Sequence, residues 1–155
     1  MKRLSFVLAV LASVVALIAS CADERNQVDQ PSTEQRQGKR VMQIQYLEIV
    51  TKEVDAVCVA YEAAHGVQFG DPIAGLGYAR TATLLGGGLV GVRAPMHDAE
   101  EPVVRPYWLV DDIEAAVGSV VKAGGTVAHP PLEIPGLGTF AIYIQGGIQH
   151  GLWQR

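Results

Sequence analysis

Glu48, Arg93 and Arg105 are the charged side chains with chemical scope, because each lies in a short β-rich run where every second residue faces the same way. Glu48 is the candidate catalytic residue: a carboxylate on a strand could serve as a general base if burial moved its proton affinity towards neutrality. It could equally be a strand carboxylate paired with Arg93 or Arg105. The two arginines could clamp an anionic ligand through bidentate hydrogen bonds, or only neutralise Glu48. Tyr46, Tyr107, Tyr143 and Trp153 would supply flat apolar walls with polar tips, and Gln149 a neutral polar contact.

Other constellations are weak. His65, His97, His129 and His150 are too scattered to form a ligand set. Gly86–Gly88 lacks a following Lys-Ser/Thr and runs into a strand, so it is not a phosphate loop. No Ser/His/Asp grouping has hydrolase spacing. Cys58, on an apolar helical face, reads as a small buried hydrophobe.

Two strand–helix units must position these side chains. In the second unit, strand 105–110 is followed by a helix over 111–123, capped by Asp111 or Asp112. Ile113, Ala116, Val117, Val120 and Val121 give that helix one apolar face, and Gly124-Gly125 ends it. About sixty residues earlier, strand 46–50 leads to a helix over 53–65 with Val54, Val57, Cys58 and Tyr61, stopped by Gly66. Ile73-Ala-Gly-Leu-Gly77 then recurs as Ile134-Pro-Gly-Leu-Gly138, each before a β-rich run. The order strand, helix, three strands thus occurs twice, over about 43–96 and 103–155, which marks an internal duplication. Alternation gives each strand an aliphatic face suited to packing under the helices, Phe140, Ile142 and Ile144 among them. The opposite faces, carrying Tyr46, Glu48, Arg93, Arg105, Tyr107, Tyr143, Gln149 and Trp153, read as pocket wall.

The N-terminal segment sets an address. Lys2 and Arg3 precede an apolar run from Leu4 to Ile18, then Ala19-Ser20-Cys21: a charged start, a short apolar core and a small-residue cleavage site, giving a signal over 1–20. The run is shorter than the roughly 20 residues of a spanning helix. Residues 22–40 are polar without apolar period and read as a disordered tether, leaving one domain over 41–155. The net charge of −4 becomes more negative once Lys2 and Arg3 are removed, and no basic cluster exists beyond Arg36, Lys39 and Arg40. Nucleic-acid binding is therefore not expected.

Two resemblances carry these readings further. Ala-Ser directly before Cys21 resembles a bacterial lipoprotein signal, which implies that Cys21 is the lipidated mature N-terminus and that the bilayer is a partner. Ala22 and Asp23 after it lean towards the outer membrane, facing the periplasm, if the host is Gram-negative. In the folded part, "AYEAAHG", "VDDIEAAVGSVVKAGG" and the terminal "GLWQ" resemble the vicinal oxygen chelate superfamily of glyoxalases, extradiol dioxygenases and bleomycin-resistance proteins, in its hydroxylase-like branch. That resemblance implies an α+β fold: two tandem βαβββ modules whose sheets curl into a cup, with the helices outside. Its metal positions fall on Tyr46, Arg105, Gly91 or Val92, and Gly151, none a usual ligand, so no metal and no other cofactor is expected. The expected function is a membrane-anchored domain binding a small organic molecule, anionic if an arginine is spare, in a metal-free cup. A metal-dependent lyase, isomerase or dioxygenase is the alternative. Whether the cup closes within one chain or across a homodimer is left open.

Overall fold

The computed structural model describes residues 41–155, so the expected signal, Cys21 and the tether lie outside the described residues. The elements are β1 (Ile44–Val50), α1 (Val54–His65), a 3-10 turn (Ala74–Leu76), β2 (Arg80–Thr83), β3 (Leu89–Arg93), β4 (Val103–Leu109), α2 (Ile113–Lys122), β5 (Thr126–Ile134), β6 (Gly138–Gln145) and β7 (Ile148–Gln154). One sheet of seven strands runs in the order β2-β3-β1-β4-β7-β6-β5. Within each module the first strand pairs parallel with the last, β1 with β3 and β4 with β7. At the centre, β1 and β4 pair antiparallel, which joins the modules about a local two-fold relation.

The α+β duplication is present, and the two copies differ in one element. The second module is βαβββ as expected. In the first, the strand after the helix is reduced to a single bridge between Ile73 and Ala79. Pro72 directly precedes it, and proline offers no ladder donor. The shared pentapeptides still occupy equivalent turns: Leu76 N donates to Ile73 O, and Leu137 N to Ile134 O. They also touch. A Cβ on Gly75 would lie 2.8 Å from Ile134 Cγ2, so only glycine lets the two turns close on each other.

The helices seal the outer face. On α1, Cys58 is fully buried and, with Val54, Val57 and Tyr61, packs on Ile49, Val90 and Val92; burial, the largest influence on it, pushes its thiol above the ordinary range. The helix ends at Gly66 in the left-handed conformation, as the sequence predicts. Asp112, not Asp111, caps α2 by accepting from Ala115 N, a contact worth about 1 kcal/mol. Ile113 of α2 packs down on Ala141, Leu152 and Tyr143 of β6 and β7.

Candidate functional site

Alternation on the central strands turns their polar residues to the face away from the helices, where both modules enclose a cavity of about 510 Å³. The cup therefore closes within one chain. Tyr46 and Glu48 come from β1, Arg93 from β3, Arg105 and Tyr107 from β4, and Trp153 from β7. Close packing requires glycine beneath the tyrosines. A Cβ on Gly91 would overlap the Tyr46 hydroxyl, and one on Gly151 would overlap the Tyr107 ring.

Glu48 is the hub of a buried ionic cluster. Its Oε1 accepts from Arg93 Nε at 2.6 Å; its Oε2 accepts from Arg105 Nη1 and from the Tyr107 hydroxyl at 3.0 Å. Antiparallel pairing makes this possible, because Glu48 lies directly opposite Arg105 in the β1–β4 register. Glu48, Arg93 and Arg105 are all about 95% shielded from solvent. Breaking such a buried pair leaves a charge without a partner, at a cost of about 3–5 kcal/mol. Arg105 is further held by Gln149 Oε1, 3.0 Å from its Nε.

Glu100, from the polar connection between the modules, completes the cluster. Its carboxylate accepts from Arg93 Nη1 at 2.9 Å, Arg93 Nη2 at 2.6 Å and Met96 N at 2.7 Å. The Arg93 hydrogen bond, against the effect of burial, pulls Glu100 down to about 2. Burial works against the charge on Arg93, but its bonds to Glu100 and the charge of Glu48 outweigh this and raise it. Burial, then the neighbouring Glu48 charge, pushes the Tyr46 and Tyr107 phenols far above their ordinary range, so both stay protonated. With both oxygens of Glu48 occupied by three donors, its geometry is that of a structural counter-ion, not of a base open to a substrate.

The remaining walls are apolar. Tyr46, Tyr107, Phe140 and Trp153 form an aromatic cluster with ring centroids 5.5–6.5 Å apart, and His129 stacks on Phe140 at 5.0 Å. His129 reaches that position through two register shifts in β5, around Pro130 and Pro131 on the edge of the sheet. Leu76, Leu132, Ile134 and Ile142 complete the apolar lining.

Six of the residues expected from the sequence surround this cavity: Tyr46, Glu48, Arg93, Arg105, Tyr107 and Trp153. Gln149 lies behind Arg105 and lines a second cavity of about 620 Å³, which shares His97, Glu100 and Arg105 with the first. Tyr143 is a correction. It lies on the helix side of the sheet, packed under α2 and stacked on His150 at 5.1 Å. Phe140 and Ile142, expected beneath the helices, line the cup instead. The β6–β7 register explains the inversion: Phe140 pairs with Trp153 and Tyr143 with His150, and directly paired residues share a face. Sequence reasoning misses Phe140, His129 and Glu100 as site residues. Glu100 carries no signal beyond its acidity, since it lies in a loop. The expectation of a spare positive charge also fails, because Glu100 takes the second guanidinium.

The metal positions implied by the resemblance can be tested on their donors. Tyr46 lies over Gly91, Tyr107 over Gly151, and Arg105 points a guanidinium at the Glu48 carboxylate. A divalent cation needs several imidazole, thiolate or carboxylate donors converging. Among the described residues no three His, Cys, Asp or Glu side chains do so. These residues do not fit such an ion.

No protein-family model matches the chain. Over 115 residues it is 30% identical to proteins named "Putative glyoxylase CFP32" in Mycobacterium bovis and Mycobacterium tuberculosis, covering 70% of this chain. The chain spans 44% of those relatives' own length. Among solved structures, hypothetical protein BH1468 from Bacillus halodurans superposes with a TM-score of 0.60 at 11% identity, covering 75% of this chain and 96% of that one. Methylmalonyl-CoA epimerase of Streptomyces coelicolor, in complex with 2-nitronate-propionyl-CoA, gives 0.55 at 15% identity, over 74% and 98%. The Mycobacterium tuberculosis epimerase gives 0.55 at 15%, over 72% and 86%. The solved structures share the fold of this chain, and its sequence likeness is to part of proteins named as glyoxylases.

Proposed function

We propose that this domain binds a small organic molecule in the cup, without a divalent metal, and is held at a membrane through a lipidated Cys21. The observation that carries the binding reading is the floor itself. Where a metal centre would need open donors, Glu48 is bound to Arg93, Arg105 and Tyr107, while the walls above it stay apolar and concave. The anchor rests on the charged start, apolar run and Ala-Ser-Cys ending of residues 1–21.

A thermal-shift screen of small organic molecules, run on wild type and Phe140→Ala, tests the binding reading. Hits should raise the wild-type Tm by several degrees and lose most of that gain in the variant. Hits that stabilise both proteins equally would place binding outside the cup, and the reading fails if no compound stabilises wild type. The likeness to proteins named glyoxylases favours a second reading, a metal-dependent enzyme of the vicinal oxygen chelate superfamily. Stoichiometric zinc, nickel, iron or manganese in untagged purified protein would establish it over the first.

A further inference from the structure

We infer that the cup selects an uncharged, flat, largely apolar molecule; this rests on the small-molecule reading above and adds the chemical class. The argument begins with charge. Glu48 and Glu100 supply two negative charges at the cavity, and Arg93 and Arg105 supply two positive ones. Each guanidinium is committed. Arg93 binds both carboxylates and Ala94 O, and Arg105 binds Glu48, the Tyr107 hydroxyl and Gln149. An anion entering the cup would have to displace Glu48 or Glu100 from its arginine. A cation would find both carboxylates already neutralised. Either ion would also lose its hydration in the apolar cavity without a free counter-charge, which is costly.

Shape supplies the rest. One wall is the stacked series His129, Phe140 and Trp153, with interplanar angles of 26° and 29° between successive rings. Ile142, two residues along β6 from Phe140 and on the same face, extends that wall, and Leu76 of the 3-10 turn adds to the lining, so the cavity offers aromatic and aliphatic surface suited to an aromatic molecule. At the cavity's edge Met96 and Leu132 remain largely exposed and apolar. A volume of about 510 Å³ accommodates a molecule of two or three fused rings.

Three naphthalene probes of equal shape and different charge test this by calorimetry on the full chain: 2-acetylnaphthalene, 2-naphthoate and 2-(aminomethyl)naphthalene. The neutral ketone should bind wild type at least tenfold more tightly than either ion, and Phe140→Ala should weaken it. In Glu100→Gln, which frees half of Arg93, the affinity ratio of naphthoate to ketone should rise about tenfold. If naphthoate binds wild type as tightly as the ketone and Phe140→Ala weakens both, the cup binds small molecules but this charge argument is overturned. An unchanged ratio in Glu100→Gln overturns it as well. If no probe binds in a way that Phe140→Ala weakens, both the class and the underlying reading fall.

Discussion

Glu100 sits between the modules, and one carboxylate there holds both Arg93 and the backbone of Met96. Its folded value of about 2 lies below the ordinary 4.5, so its ion pair adds stability above pH 4.5. That contribution is lost as pH falls from 4.5 through 2. Glu100→Gln should therefore melt below wild type by on the order of 5 °C at pH 7, with the gap closing towards pH 2. A gap independent of pH in thermal melts would mean that packing, not charge, is what the variant loses. At this scale the sequence is partly legible. Glu48, Arg93, Arg105 and Tyr107 can be found because period-two alternation sorts strand residues into faces. Alternation does not say which face is inward, and for that reason it assigns β6 backwards, with Tyr143 and Phe140 exchanged. Glu100 lies in a loop, where no periodicity applies.

Among the elements, β3 and β7 each carry a glycine whose purpose is clearance. No positive φ is needed at Gly91 or Gly151; the tyrosine of the neighbouring strand occupies the space a side chain would take. Gly151→Ala should push Tyr107 off Glu48 and cost about 1–3 kcal/mol, since inserting a methyl group forces the packed ring to move. Urea denaturation would show it as a lower midpoint with unchanged slope. An Ala variant as stable as wild type would indicate that the ring yields freely. Helix limits are legible to within a residue or two because caps and glycine stops are local chemistry. The shortened strand at Ile73 is not, because whether a strand pairs depends on neighbours distant in sequence.

For the whole molecule, the duplication can be read from repeated order, and the closing of the cup within one chain cannot. The latter depends on β1 meeting β4 in a register that only the fold defines. The proposed anchor belongs to this scale too. Cys21→Ser should move the protein from the membrane to the soluble fraction in its native host. Continued sedimentation with membranes would place the attachment elsewhere.

The seam between β1 and β4 has a consequence for assembly. Tyr46 and Arg105 each lie eight residues before the helix of their own module, as Glu48 and Tyr107 each lie six before it, so these pairs are the same positions in the two copies. Were two first modules from neighbouring nascent chains to join along β1 in this register, Glu48 of one would face Tyr46 of the other, with no guanidinium across the join. Two second modules would set Arg105 against Tyr107 with no carboxylate at all. Duplicated units ordinarily invite mispairing with their own kind. Here the divergence of two positions makes each half a poor mate for its copy and a good one for its sibling, so the seam directs each chain to close on itself.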